Sequence, residues 1–321
     1  MEQFETLLKI EDIAYETNVD LRKKTWIHRG GKADYFVSPQ NSAALEKIMK
    51  HLYVNNISHL LVGSTSNLYI LNTTNIPVVV STLRCNTYKI KEETIECECG
   101  VQVSKLAEKV IKLGIKGFEY LTNLPGTVGA AIYNNSSCKN NSISELLIDV
   151  DMVTPQGIKK VSAEELHFAF RTSDLKRNIL RGVILKARLR LAFGQKDELE
   201  RKAKDNETER RKLLEGPAQN LGCTVHKPFS NGSMPFRYRV PSSIYSKIIT
   251  LLVKDELKRK RLNKSFLLTI SGHKKLIPYV SDYLSLIFVW RDDNADEFFN
   301  EYLSFMRDIY KTDKVEIEII K

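Results

Sequence analysis

Cysteine is scarce and scattered: five occur in 321 residues, Cys85, Cys97, Cys99, Cys138 and Cys223, and none forms a CxxC pair. That count and spacing argue against a disulfide framework and a zinc site, so no metal is expected, and they favour a reducing compartment. Cys97 and Cys99 alternate with Glu96 and Glu98, which puts both thiols on one face of a strand. There a free cysteine packs as a small hydrophobe. No apolar run reaches the roughly 18 residues that a membrane-spanning helix needs. Met1 to Asp20 mixes acidic and apolar residues and lacks the basic start and apolar core of a secretion signal. Internal repeats and low-complexity tracts are missing too. These absences lead to the expectation of a soluble, cytoplasmic chain of two or three domains with no membrane partner.

What is abundant is positive charge, +10 net. Residues 196–264 hold 17 Lys/Arg and 9 Asp/Glu, a local excess of 17 − 9 = +8. From Lys196 to Leu214 the signs interleave, as on a solvated helix supported by i,i+4 pairs. Nucleic acid is therefore not the expected partner, and an anionic small molecule uses the same field.

Along the chain, strands are expected over Ala33–Val37, His59–Val62, Pro77–Val80, Thr94–Cys99, Leu147–Thr154 and Val183–Leu191. Helices are expected over Ser42–Asn55, Val103–Leu113 and Lys196–Leu214. Glu215-Gly216-Pro217 reads as a helix stop and domain boundary. Beyond it, Ile244–Val253 and Asp296–Ile309 read as helices, and Leu286–Trp290 and Val315–Ile320 as strands. The pattern is α+β with mixed sheets.

Two small-residue loops suit an anion. Gly63-Ser64-Thr65-Ser66-Asn67 follows one apolar strand, and Leu124 to Ala130 carries Pro125-Gly126-Thr127-Val128-Gly129. Small residues let the main chain approach a ligand, and successive N–H groups with hydroxyls cradle phosphate. Neither loop is a Walker A or a GxGxxG opening a βαβ unit, and each alone reads equally as a plain turn.

The order of the motifs resembles the UDP-N-acetylenolpyruvoylglucosamine reductase (UDP-N-acetylmuramate dehydrogenase) family. Thr25 to Asp34 (TWIHRGGKAD) looks like its opening element, and Gly63 to Leu68 like its GxGSNLL flavin loop. Gly117 to Ala131 (GFEYLTNLPGTVGAA) looks like GLEFLxxIPGTVGGA, the most specific match. Phe170-Arg171-Thr172-Ser173 resembles the aromatic-R-x-S element, and Val315 to Glu318 the final LxPE. The resemblance implies a two-lobed FAD-binding domain of the vanillyl-alcohol-oxidase (PCMH) type followed by a smaller α+β substrate domain. It divides the chain into lobe 1 (1–80), lobe 2 (81–214) and a substrate domain (215–321).

In that family NADPH passes hydride to FAD, and reduced FAD passes it to the vinyl carbon of an enolpyruvyl UDP-sugar, a step of peptidoglycan precursor synthesis. By resemblance, Gly63, Ser64, Thr65, Ser66, Asn67, Pro125, Gly126, Thr127, Val128 and Gly129 contact the FAD pyrophosphate. Arg171 matches the arginine that stabilises charge developing beside the substrate carboxylate, and Glu318 the glutamate that assists there. Gly222-Cys223-Thr224-Val225-His226-Lys227-Pro228 occupies the place of a G-S-x-F-x-x-P element, with Cys223 at the proton donor's position. A packed cysteine at a turn is the alternative. His226 and Lys227 supply positive charge for the substrate diphosphate, or are ordinary surface residues.

The sequence departs from the pattern in its last third. Leu284 and Trp290 stand where the family has His and Asn, and Arg237 to Lys275 has no clear GGAxVS approach and is unusually basic. Two other readings thus stay open: a flavoprotein of this fold with altered or weakened activity, and a basic nucleic-acid-binding protein.

Overall fold

The structure, a computed structural model, describes residues 1–138, 141–213, 220–225, 234–312 and 314–321. The helix stop expected at Glu215-Gly216-Pro217 lies outside them. Two compact units divide the chain. Unit 1 comprises Met1–Lys24, Gly30–Thr65 and Asn72–Thr208; unit 2 comprises Thr25–Arg29, Ser66–Leu71 and Glu209–Lys321.

Among the described residues, unit 1 holds two large sheets and one two-stranded sheet. In the first, β1 (Ala14–Asp20) runs antiparallel to β2 (Lys32–Ser38), which is parallel to β5 (Asn75–Ser81), itself parallel to β3 (His59–Val62). A parallel strand covered on both faces needs a continuous apolar run, and β5 supplies one in buried Val78, Val79 and Val80. The crossover from β2 to β3 is α2 (Ser42–Val54). Its Leu45, Ile48, Met49 and Leu52 recur on one face and are buried. Asn41 caps it, accepting from the Ala44 N–H at 2.9 Å. The short α1 (Glu2–Ile10) buries Phe4 and Leu8 in the same core.

The second sheet is antiparallel throughout, in the order β11 (Gly157–Ser162), β10 (Leu147–Thr154), β12 (Val183–Arg190), β7 (Thr94–Glu98), β6 (Tyr88–Ile90). On β12, Ala187 and Leu189 point inward, while Lys186 and Arg190 are exposed, as its alternation requires. Helix α3 (Val103–Lys112) buries Leu106, Ala107, Val110 and Ile111. The six-residue α4 (Val128–Tyr133) follows the second small-residue loop, and β8 (Ser137–Cys138) pairs with β9 (Asn141–Ser142) beyond it. Cys97 and Cys99 are buried, and burial pushes the Cys97 thiol up to about 12, as for a core residue.

Unit 2 is built around aromatic side chains. Tyr69, Phe288, Trp290 and Phe299 pack on one another with ring centroids 4.8–5.5 Å apart. Its helices are α6 (Phe236–Leu252), α7 (Glu256–Ile270) and α8 (Ala295–Tyr310). The charged α5 (Lys196–Leu213) joins the two units in sequence. In unit 2, β4 (Leu68–Ile70) pairs with β13 (Glu318–Ile320) in parallel.

Three expectations change here. Leu286–Trp290 is not a strand: it is buried along its whole length and makes only isolated bridges, Val280↔Phe288 and Asn220↔Val289. The tail pairs as a strand only from Glu318, with Val315 bridged separately to Val225. Helix α6 starts eight residues before the expected Ile244, and Pro241 lies inside it.

Candidate functional site

The two small-residue loops of unit 1 meet. An added Cβ on Gly63 would lie 2.6 Å from Thr127 Oγ1 and 3.2 Å from its Cγ2, so only hydrogen fits there. Strand β3 carries Gly63 to this point, and Thr82, donating its N–H to Val62 O at 2.9 Å, holds the end of that strand. Thr127 is buried and caps α4, its hydroxyl accepting from Ala130 N–H at 3.4 Å. Gly126 has φ 134°, a conformation open to glycine, and Thr65 takes φ 54° while buried.

Donors in the second loop are unevenly available. Val128 N–H donates to Val101 O and Gly129 N–H to Cys99 O, each at 2.8 Å. Those two bonds lock the loop onto the segment after β7 and commit both groups. The junction also carries the Ser64 and Thr65 side chains and the main chain around Gly126 and Thr127. The close Gly63–Thr127 approach and this hydroxyl-rich donor set fit a diphosphate.

The division between the units falls inside the first loop, and Ser66 and Asn67 belong to unit 2. Here the tail comes in beside them. Glu318 N–H donates to Asn67 O at 2.8 Å, and Asn67 Nδ2 donates to Glu316 O at 3.3 Å. On the other side Glu316 N–H donates to Thr224 O at 2.8 Å. The final segment is thus laced between the first loop and the stretch that carries Cys223. Gly222, at φ 75°, precedes this half-buried cysteine, and Thr224 fixes the chain after it. Thr224 does so by donating its N–H to Leu286 O at 2.9 Å and accepting from Phe288 N–H at its hydroxyl at 3.0 Å. Cys223 and Glu318 therefore sit on neighbouring segments of unit 2. His226 and Lys227 lie outside the described residues.

Arg171 belongs to unit 1, at the apex of a turn closed by reciprocal main-chain bonds between Ala169 and Thr172. Its φ is 57°, a left-handed conformation costly for a side chain of this size. The end of α4 holds this turn. Asn135 Nδ2 donates to Ala169 O at 2.9 Å, Ser173 Oγ to Tyr133 O at 2.7 Å, and Lys176 Nζ to Asn134 Oδ1 at 2.8 Å. One short helix, capped at its start by Thr127, is bonded at its end to the Arg171 turn. Asn135 was not singled out from the sequence. Its only local signal is the Asn134-Asn135 pair after a helical run, a place where asparagine accepts positive φ, here 44°.

The chain is similar to known proteins in sequence and in fold. A family profile described as "FAD binding domain" matches residues 33–162. UDP-N-acetylenolpyruvoylglucosamine reductase of Caldicellulosiruptor saccharolyticus is 30% identical over 236 residues, 71% of this chain and 74% of that protein. The protein of that name from Clostridium tetani is 30% identical over 226 residues, covering 68% and 72%. The crystal structure of UDP-N-acetylenolpyruvylglucosamine reductase from Thermus caldophilus matches with TM-score 0.70 over 96% of this chain and 100% of that one. At 18% identity that likeness shows the fold, which is the expected α+β type.

Proposed function

Because the chain belongs to the UDP-N-acetylenolpyruvoylglucosamine reductase family, we propose that it reduces UDP-N-acetylglucosamine enolpyruvate to UDP-N-acetylmuramate, with NADPH as reductant and FAD as bound carrier. This is a step of peptidoglycan precursor synthesis. The observation that carries the reading is the contact of Gly63 with Thr127. It joins two loops into one small-residue, hydroxyl-lined junction inside the profile-matched region. Bound there, FAD supplies hydride transfer from the nicotinamide to the substrate's vinyl carbon.

The chain's own residues do the rest. Gly63, Ser64, Thr65, Ser66 and Asn67 from one loop, and Pro125 to Gly129 from the other, surround the cofactor's diphosphate, with Val128 and Gly129 shaping their loop through the bonds to Val101 and Cys99 rather than donating to the ligand. Arg171, a planar and always charged donor, binds the substrate carboxylate and takes up the negative charge that grows beside it. Cys223 gives the proton that completes the reduction; a thiol of ordinary pKa about 8.5 releases one far more readily than an alcohol. Glu318 holds the carboxylate end in register and shares the proton bookkeeping there. By resemblance, His226 and Lys227 would supply positive charge for the substrate's diphosphate. The reading keeps lobe 1 at 1–80, lobe 2 at 81–214 and the substrate domain at 215–321. The five free thiols fit a reducing, cytoplasmic setting.

One observation favours a variant of this reading. Trp290, standing where the family has Asn, is buried against Tyr69, Phe288 and Phe299 and offers the site no amide. A flavoprotein of the same fold with an altered substrate accounts for that change. NADPH oxidation by the purified protein separates the two. Oxidation that depends on UDP-N-acetylglucosamine enolpyruvate supports the reductase, and flavin reduction without turnover of that substrate supports the variant.

A further inference from the structure

Helix α6 has no buried residue. Its apolar residues Phe236, Val240, Ile244, Ile248, Leu251 and Leu252 recur every three or four positions, within an arc of about 160° at the helical period. All six are exposed, Leu251 by 86% and Leu252 by 74%. The opposite side is already occupied. Tyr245 stacks on Phe266 of α7 at 4.0 Å between centroids, and Asn263 Nδ2 donates to Ser246 Oγ at 3.3 Å. The stripe is therefore the free face of a helical hairpin rather than a core face that failed to pack. Soluble proteins seldom leave so long an apolar stripe wet without a use for it.

The charge around the stripe selects what covers it. Residues 236–264 contain nine Lys/Arg and two Asp/Glu, an excess of 9 − 2 = +7. Lys260 pairs with Glu256, and Arg261 and Lys264 with Asp282. Arg237, Arg239, Lys247, Lys254 and Lys258 have no carboxylate partner among the described residues. At the helical period Arg237 and Lys247 fall inside the apolar arc itself. A second copy docking on this face would bring two cationic surfaces together. Nucleic acid would use the charges and leave the stripe in water. An anionic bilayer satisfies both, taking apolar side chains to headgroup depth while its phosphates meet the lysines and arginines.

We propose that α6, with the start of α7, is a peripheral docking surface for an anionic lipid bilayer. The helix lies flat on the membrane; no helix among the described residues is long and apolar enough to cross one. The inference rests on this hairpin alone and is independent of the reaction proposed above.

Cosedimentation of the full chain with lipid vesicles tests it. Vesicles containing phosphatidylglycerol should bind the protein, and vesicles of phosphatidylcholine alone should not. Binding should weaken as salt rises through the range where surface charges are screened. Ile244→Glu with Ile248→Glu, and separately Lys247→Glu with Lys254→Glu, should each lower vesicle affinity about tenfold or more while the circular dichroism spectrum is kept. If the isoleucine pair fails to fold, the lysine pair and the salt series still decide. Three results overturn the proposal: no binding to phosphatidylglycerol vesicles, binding untouched by both pairs of substitutions, or tighter binding to duplex DNA than to vesicles. A wild-type dimer that the isoleucine substitutions split would overturn it too, by making the face a contact between copies.

Discussion

Asn135 donates its side-chain amide to the carbonyl of Ala169 at 2.9 Å, across 34 residues of sequence, and so holds the turn whose apex is Arg171. Replacing Asn135 with glycine keeps the backbone at its φ of 44° and removes only the amide. A lost hydrogen bond of about 1–1.5 kcal/mol corresponds to about tenfold. Asn135→Gly should therefore slow flavin reoxidation by substrate about tenfold and leave flavin reduction by NADPH unchanged. In an Arg171→Ala background the same substitution should cost nothing further. Additive losses in the double variant would show that Asn135 does not act through Arg171.

Gly63→Ala should weaken FAD binding without unfolding the chain. The new methyl meets a buried Thr127 side chain at 2.6 Å, and overpacking of this kind costs about 1–3 kcal/mol. That predicts a dissociation constant about 10- to 100-fold higher, measured by titrating the stripped protein with FAD. Unchanged affinity would mean that the junction of the two loops is not where the cofactor sits.

Strands β2, β3, β10 and β12 were legible because each carries the residue period of its environment, alternating or continuously apolar. The two loops were legible from their small residues. Harder to read was α7, whose Lys258-Arg259-Lys260-Arg261 run hides any apolar period, and the start of α6, where Pro241 reads as a breaker. A proline in the second turn gives up one main-chain bond, and an exposed helix tolerates that more easily than a buried one. The membership of Thr25–Arg29 and Ser66–Leu71 in unit 2 was not legible. It rests on contacts distant in sequence, such as Arg29 Nη1 with Asp293 at 3.1 Å and Glu318 N–H with Asn67. The Asn135–Ala169 bond was missed for the same reason.

Cys223→Ser should keep substantial turnover, because a hydroxyl can stand where the thiol does. Cys223→Ala should leave NADPH-driven flavin reduction intact and slow the substrate half-reaction by about 10²-fold, the scale of a positioned proton donor. Rapid-mixing traces of the two half-reactions check this. Wild-type rates in the alanine variant would reduce Cys223 to a packing residue at the turn after Gly222.

Glu98 gives the fold an acid-sensitive tie. Its buried carboxylate accepts from Ser42 N–H at 2.6 Å, Thr87 N–H at 3.0 Å and Thr87 Oγ1 at 2.9 Å, fastening the start of α2 to the second sheet. Burial pushes this carboxyl up, but those three donors more than offset it and leave it below its ordinary value. A depressed folded-state value means that the tie is fully present above the unfolded carboxyl's pKa, about 4.3, and is lost as pH falls through the folded value. Glu98→Gln should cost about 1–3 kcal/mol near neutral pH and progressively less below about pH 4. Thermal melts across pH check it, and a penalty independent of pH would contradict the sign.

The most direct test of the reductase reading is anaerobic single turnover, in which the protein is reduced with NADPH and mixed with UDP-N-acetylglucosamine enolpyruvate. The wild type should regain its oxidised flavin spectrum at least as fast as steady-state turnover. Glu318→Gln should be reduced normally and reoxidised about 10²-fold or more slowly. Glu316→Gln, two residues earlier in the same tail, should match the wild type. Reduced flavin that persists in the wild type on mixing with this substrate, or equal effects from the two glutamine substitutions, would contradict the account.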